Sequence, residues 1–170
     1  MGEVRLHMNT IIKNIDRFNK VLGVVLALLI MVMSAVIFYQ VFSRFILKDS
    51  LRWSEELARY LMVWSVFIGS ALAIRKRDLI SVDAIKELLS ERAKAVLNVF
   101  VYVVSIVFLS VLVNYGFVLM GNIVHQTSPA MNISMGWAYS AIPVGSIFMI
   151  INCVAVIMEI IMKQREGDER

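Results

Sequence analysis

The sequence predicts an all-α integral membrane protein with four transmembrane helices, an interfacial amphipathic helix, and both termini in the cytoplasm. Of its 170 residues, 59% are hydrophobic and 18% are charged, whereas soluble domains are nearer half apolar and a quarter charged. The apolar residues form four blocks, each near the roughly 20 residues that cross a hydrocarbon core. The basic residues cluster at the ends of these blocks, where they orient helices in a membrane.

The four apolar blocks give the boundaries of the spans. We predict a membrane domain over 21–162, with spans at about 21–42, 57–74, 95–120 and 138–162. Runs of this length without turn residues or strict alternation favour helices over a β-barrel. The remaining residues 163–170 form a predicted cytoplasmic tail.

The segment 1–20 is polar and basic, yet apolar side chains recur in it at helical spacing. They are Ile11, Ile15 and Phe18, and Leu22 continues the series just after the segment. This pattern predicts an amphipathic helix on the cytoplasmic surface of the membrane. An early extension of the first span explains the pattern equally well.

The distribution of lysine and arginine predicts the orientation. The three connections between spans hold three, six and no basic residues, in chain order, against four in the N-terminal segment and three in the tail. Because such charges are retained in the cytoplasm, we expect both termini and the 75–94 connection inside. The 43–56 and 121–137 connections should then face the periplasm.

A basic cluster ends the second span on the predicted cytoplasmic side. We expect its residues to bind lipid headgroups and to fix the orientation, and we expect an acid further along to cap a short surface helix. These residues are Arg75, Lys76, Arg77 and Asp83. Since the basic residues lie at membrane boundaries, the net charge of +4 favours a lipid surface over nucleic acid as partner.

The most polar stretch outside the termini precedes the second span. As a helix it places four side chains on one face, Trp53, Leu57, Tyr60 and Trp64. Tryptophan and tyrosine prefer the interfacial layer, so we expect a helix at the outer interface that turns into the second span. Its charged residues should pair with one another, because Glu55 and Arg59 are four residues apart in the favourable order. Glu56 lies beside them.

Two interpretations of this stretch remain open. It is an ordinary interfacial helix with a solvated charged face, or it is a docking element for a partner protein. Arg44 and Arg59 likewise either reach the outer interface by snorkelling or pair with an acid on a partner.

Two features predict close helix packing. Ser65, Gly69 and Ala73 form a ridge of small residues on the second span, which lets another helix approach closely, either within this chain or from a partner. Pro143 is placed to kink or loosen the first turns of the fourth span.

The span cores lack the residues that chemistry in a membrane requires. They contain no aspartate, glutamate, lysine or histidine, and Glu159 lies near a predicted end. A haem bundle needs axial ligands and a proton-coupled carrier needs a buried ionisable group. Cys153 is the only cysteine. We therefore expect no enzyme activity, no cofactor and no metal site.

Several motifs together carry a family resemblance over about residues 20–160. These are the runs Phe42-Ser43-Arg44-Phe45, Trp53-Ser54-Glu55-Glu56-Leu57-Ala58-Arg59-Tyr60, Ile80-Ser81-Val82-Asp83, Ser128-Pro129-Ala130 and Tyr139-Ser140-Ala141-Ile142-Pro143-Val144-Gly145. In these runs the chain resembles the DctQ-type small membrane subunit of tripartite ATP-independent periplasmic (TRAP) transporters.

The resemblance implies a non-catalytic subunit in a bacterial inner membrane. A large TRAP subunit would bind sodium and substrate, a periplasmic binding protein would deliver an organic acid, and this chain would pair with the large subunit as a scaffold. The motif residues Arg44, Trp53, Glu55, Glu56, Arg59, Tyr60 and Trp64 would then organise the interface with that subunit or its lipids. Two alternatives remain, an autonomous four-helix exporter and a scaffold subunit of another membrane complex.

Overall fold

The computed structural model describes residues 2–48, 51–76 and 91–168. Its elements are α1 (Gly2–Phe42), a π-helical turn (Ser43–Leu47), α2 (Arg52–Lys76), α3 (Glu91–Ile123), the short α4 (Gly136–Tyr139) and α5 (Ala141–Asp168). One isolated antiparallel bridge joins Thr127 to Ser134, and these residue ranges contain no other β-structure. Four stretches are helical, long and apolar enough to cross a membrane, which confirms the predicted fold class. The orientation of the termini and the interfacial position of the amphipathic helix stay predictions.

The helices extend beyond the predicted spans because they continue into polar flanks. An α-helix satisfies every backbone hydrogen bond internally, so it crosses from hydrocarbon into water without a break. α1 has 41 residues and is about 62 Å long at 1.5 Å per residue. The segment 1–20 is thus continuous with the first span from Gly2 on. Likewise the stretch predicted as an interfacial helix that turns into the second span is, from Arg52, the beginning of α2.

α1 ends in a π-helical turn before the chain reverses into α2. The backbone N–H of Lys48 donates to the carbonyl of Ser43, and Lys48 adopts a left-handed conformation with φ of 55°. Left-handed residues commonly terminate helices because they redirect the chain away from the helix axis. This geometry brings the start of α2 back alongside the end of α1.

The long helices stand in a row rather than in a closed bundle. α1 packs along α2, α2 along α5, and α5 along α3, while α1 and α3 have at most a marginal contact in the part of the chain that the structure describes. Accordingly, four of the seven buried core residues come from α5, against one from α2 and two from α3. α5, the last helix in sequence, therefore lies inside the row, and α1 and α3 are its edges.

The core lies where α5 meets its two neighbours. Its buried residues are Ala71, Tyr102, Leu109, Met149, Cys153, Val156 and Ile160. Glycines permit the closest approaches. A Cβ at Gly145 would lie 2.5 Å from the Cβ of Phe67 on α2, and one at Gly116 would lie 2.9 Å from Pro143 Cδ. Both glycines are therefore contact points between helices.

Candidate functional site: polar junctions at the two ends of the helices

The first polar junction joins the start of α2 to the connection between α3 and α4. The carboxylate of Glu56 accepts hydrogen bonds from Ser128 Oγ at 2.7 Å, from the backbone N–H of Ala130 at 3.1 Å and from that of Met131 at 3.1 Å. We call these four residues the Glu56 junction. It lies at the end of the helices that the charge count predicts to be periplasmic.

The connection itself is held in one shape by its own hydrogen bonds. The backbone N–H of Ser128 donates to the Ile133 carbonyl at 2.8 Å, and that of Met135 donates to the Gln126 carbonyl at 2.9 Å. Asn132 has a φ of 53°, a conformation that asparagine tolerates better than most residues. Glu56 therefore binds a loop that its own hydrogen bonds already fold into a turn.

Two further side chains join elements near this end. Trp64 Nε1 donates to the backbone carbonyl of Trp137 at 3.2 Å, which ties the middle of α2 to α4. Gln40 Nε2 on α1 donates to Glu55 Oε1 at 3.1 Å. Among the described residues, Glu55 makes no ion pair with Arg59. The predicted ion pair between Glu55 and Arg59 is thus wrong in the structure, because α1 supplies Glu55 with a partner that local spacing cannot reveal.

The second polar junction joins α1, α2 and α5 at their other end. Arg75 Nε donates to Asp16 Oδ1 at 2.8 Å, and Arg75 Nη2 donates to Glu159 Oε1 at 2.5 Å. The Arg75 side chain is 13% exposed, against 44% for Asp16 and 28% for Glu159. We call these three residues the Arg75 junction. The Arg75 guanidinium, which we had expected to bind lipid headgroups, thus pairs with two carboxylates from other helices.

A pair of asparagines forms the next layer inward. Asn19 Nδ2 donates to Asn152 Oδ1 at 2.7 Å, and Asn152 Nδ2 donates back to Asn19 Oδ1 at 2.9 Å. Asn152 Nδ2 also donates to the carbonyl of Ala71 on α2 at 2.7 Å. Both asparagines are buried. The same three helices are therefore joined twice in succession, by charges and then by amides.

Comparison with known families decides what kind of protein carries these junctions. Residues 33–162 match the family described as tripartite ATP-independent periplasmic transporters, DctQ component. That range covers more than half of the chain. The chain belongs to this family. It is therefore a multi-pass inner-membrane protein and a TRAP small membrane component, and the family is a transporter family rather than a catalytic one.

Three curated relatives resemble this DctQ chain. The sialic acid TRAP transporter small permease protein SiaQ of Vibrio cholerae is 31% identical over 122 residues, which cover 68% of this chain and 67% of SiaQ. A putative TRAP transporter small permease protein of Haemophilus influenzae is 29% identical over 80 residues, 47% of this chain and 50% of the relative. The third relative, the H. influenzae sialic acid TRAP transporter permease protein SiaT, is 29% identical over 110 residues. These are 65% of this chain but only 18% of SiaT, so the match spans a minor part of that longer permease.

The DctQ motif residues in the π-helical turn and along α2 have different surroundings. Arg44, Trp53 and Arg59 are exposed, and Tyr60 and Trp64 are partly buried. Glu55 and Glu56 have partners within the chain. Arg44, Trp53 and Arg59 are thus accessible to a partner or lipid. Glu56 instead binds the loop between α3 and α4.

The predicted packing residues and inner basic residues are placed as follows. At Gly69 the nearest side chain is Leu26 of α1, 3.7 Å from a built Cβ, and Ser65 Oγ donates to the Leu61 carbonyl at 2.7 Å. Ala73 is partly buried, and the buried Pro143 is the third residue of α5, where a missing N–H costs little. Lys76 is exposed. Arg77 and Asp83 lie outside the described residues.

Sequence reasoning missed the partners of both junctions. Glu159 carried a signal, since it is a lone acid in an apolar stretch and such residues usually face inward and pair. Asp16 and Asn19 carried none, because they lie in a polar segment before the matched DctQ range. Within the described residues no group of three or more His, Cys, Asp or Glu could hold a metal ion.

Proposed function

We propose that this DctQ chain is the small subunit of a sodium-coupled TRAP transporter, which pairs with a large permease subunit and supports it as a scaffold. The observation that carries the proposal is the family match over residues 33–162, which contains the whole interfacial motif. The likeness to part of SiaT gives support, because a related segment there belongs to a longer permease chain.

The positions of the charged contacts favour a scaffold role over a transporting role. In the described spans the strongest charged contacts lie at the ends of the helices, where Glu56 holds a loop and Arg75 is held by two carboxylates. Groups that are fully engaged in holding helices together are poorly suited to binding and releasing an ion in each transport cycle. The sodium site is therefore assigned to the large subunit.

The proposed substrate is an organic acid delivered by a periplasmic binding protein. Two of the relatives are named as parts of sialic acid TRAP transporters, which makes sialic acid the first compound to test. The choice of substrate would be made by the binding protein and the large subunit.

Reconstitution tests the proposal. The tagged chain is purified in mild detergent with its co-purifying proteins, which should include a multi-span permease in equal amount. Proteoliposomes with the permease, the binding protein and an inward sodium gradient should accumulate radiolabelled sialic acid or another carboxylate only when this chain is present. A permease that transports equally well without the chain, or a chain that purifies without any permease, would refute the pairing role.

A further inference from the structure

Three basic residues lie on one face of α1. Lys13, Arg17 and Lys20 are spaced by four and then three residues, so they stand on successive turns of the helix, one above the other. All three are exposed. Within the described part of the chain, none of their side chains forms an ion pair or a hydrogen bond. We call these three residues the basic stripe.

The neighbouring acid on α1 does not neutralise the basic stripe. Among residues 8–42 the only acid is Asp16, and its carboxylate accepts a hydrogen bond from Arg75 on α2 at 2.8 Å. The packed side of α1 is marked by the buried Asn19 and Leu22. At 100° per residue the basic stripe lies on the opposite side of the helix from these two residues. Its positive charge is therefore directed away from the row of helices.

Contacts with α2 indicate the depth of α1 in the membrane. At one end of α2 Arg75 pairs with Asp16, and at the other end Glu55 pairs with Gln40. α2 has 25 residues, about 37 Å at 1.5 Å per residue. A hydrocarbon core of about 30 Å that is centred on α2 therefore ends about 2 Å inward of Arg75. The level of Asp16 is thus just outside the hydrocarbon, in the headgroup layer.

The basic stripe extends across this headgroup layer, which is about 5–7 Å thick on each side of a bilayer. Arg17 follows Asp16 and lies at nearly the same level. Lys13 is four residues or about 6 Å further out, and Lys20 is three residues or about 4.5 Å further in. Lysine and arginine carry their charge over such distances by snorkelling, because their aliphatic stems are long. All three charges therefore reach the phosphates of one leaflet.

Inward of the basic stripe the same face of α1 becomes apolar. Val24, Leu28 and Met31 continue its helical spacing, and each is more than half exposed. The face thus changes from positive to apolar in the direction in which a phospholipid changes from phosphate to acyl chain. α1 is an edge of the row, and its described contacts are with α2, the π-helical turn and α5 on its packed side.

We propose that the basic stripe and the apolar face inward of it form a binding site for anionic phospholipids of the bilayer. The phosphate would lie among the three basic side chains, and the acyl chains would lie along Val24 and Leu28. With the predicted orientation the site faces the cytoplasmic leaflet, where anionic lipids attract basic clusters. It takes the role that we had expected of Arg75, which pairs within the chain instead. The inference does not depend on the proposed pairing with a permease.

A lipid fits this face better than an acidic helix of a partner protein does. Such a helix would have to present acids over the seven residues, or about 10 Å, that the basic stripe covers. Lipid phosphates are already present at this depth around the whole protein. Each basic residue near an anionic surface increases the affinity roughly fivefold, so three together give on the order of 100-fold. A site of this strength should retain its lipid through purification in mild detergent.

Lipid counting tests the basic stripe. The full chain is purified in mild detergent with the proteins that accompany it, and the phosphatidylglycerol and phosphatidylethanolamine bound per chain are measured by mass spectrometry. In the triple variant Lys13→Gln/Arg17→Gln/Lys20→Gln we expect bound phosphatidylglycerol to fall at least fivefold. Bound phosphatidylethanolamine should not change. No loss of phosphatidylglycerol would overturn the site.

A second triple variant controls for the change in net charge. It also loses three exposed basic residues, but these are distributed over both ends of α2 and the π-helical turn that precedes it. The control is Lys48→Gln/Arg52→Gln/Lys76→Gln. It should retain most of the bound phosphatidylglycerol, because its three charges do not share one helix face. Equal losses in the two triple variants would mean that total charge, rather than the basic stripe, retains the lipid.

Photo-cross-linking tests the site without removing a charge. Benzoylphenylalanine replaces Val24, or in a matched variant Val96, which is 68% exposed near the same end of α3. The chain and its accompanying proteins are reconstituted in phosphatidylethanolamine vesicles with phosphatidylglycerol as the minor lipid. We expect the lipid adducts from position 24 to be at least threefold richer in phosphatidylglycerol than those from position 96. Equal lipid ratios at the two positions, or a protein adduct from position 24 with a permease or a second copy of the chain, would overturn the assignment.

Discussion

Asn19 and Asn152, which are 133 residues apart in the chain, exchange two hydrogen bonds across the interface of α1 and α5. Both side chains are buried, and each amide satisfies the other. Asn152 also bonds to α2, so one residue joins three helices. A contact of this kind sets the register of the helices, because sliding one of them by a turn would break both hydrogen bonds between the two amides.

We expect Asn152→Leu to destabilise the purified chain by about 1–2 kcal/mol, the range of a hydrogen-bonded amide pair in membrane helices. The change should appear as a lower midpoint in thermal unfolding in detergent. The double variant Asn19→Leu/Asn152→Leu should lose less than the sum of the two single changes, since neither amide is then left unpaired. Asn14→Leu, at an exposed position of the same helix, is the control. Additive losses would contradict the pairing.

Arg75→Ala should remove the guanidinium that bridges the carboxylates of Asp16 and Glu159. Removing one partner of a buried ion pair costs about 3–5 kcal/mol, but Asp16 is 44% exposed, so solvent reduces this to about 2 kcal/mol. Thermal unfolding in detergent should show the loss. Lys76→Ala, the exposed neighbour, should have little effect. If Arg75→Ala were as mild as Lys76→Ala, the junction would contribute little to stability.

Arg75→Lys separates charge from geometry at the same position. A lysine keeps the positive charge but lacks the planar fork that reaches two carboxylates at once. We expect a stability between those of Arg75→Ala and the unmodified chain. Equal stability of Arg75→Lys and the unmodified chain would mean that charge alone is sufficient.

Glu56→Gln should loosen the loop that Glu56 holds. The amide cannot match a carboxylate that accepts from one hydroxyl and two backbone N–H groups, and hydrogen bonds to a charged group are the stronger kind. We expect hydrogen exchange in a peptide covering Ala130 and Met131 to accelerate by about tenfold, which corresponds to about 1.4 kcal/mol. Glu55→Gln, whose contact is with Gln40, is the matched control. Unchanged exchange in Glu56→Gln would show that the loop holds its shape by itself.

Gly145→Ala should force α5 away from α2. The nearest atom to the new methyl group would be the Cβ of Phe67 at 2.5 Å, which rotation of the phenyl ring cannot move. Overpacking of this kind costs about 1–3 kcal/mol, so the unfolding midpoint should fall. At Gly23 a Cβ would meet nothing within 4 Å, and at Gly69 only an ordinary contact at 3.7 Å. Alanine at either position should be tolerated, and equal losses at all three glycines would contradict the packing.

The number and type of the helices could be predicted from the sequence because apolar length is a property of the chain itself. Four blocks near 20 residues have few other solutions in a bilayer. The ends were harder to predict. α2 begins at Arg52 rather than at Leu57 because a helix continues into polar residues when its hydrogen bonds allow it.

The partners of the polar residues could not be predicted, because they come from distant parts of the chain. Glu56 and Ser128 are 72 residues apart, and Arg75 and Glu159 are 84 apart. Spacing rules describe neighbours on one helix, and they suggested Arg59 as the partner of Glu55. These contacts depend on the order of the helices in the row, in which α5 lies between α2 and α3. No local sequence pattern encodes that order.

The row arrangement has a mechanical consequence. Neighbouring helix axes in proteins are about 8–10 Å apart, so the three intervals between four helices side by side give a slab up to about 30 Å wide between its outer axes. A slab that is joined to a larger protein along one edge would tilt together with that protein. Any tilt of the larger protein would drive the far edge toward the headgroups and expose apolar side chains to water, which the bilayer resists.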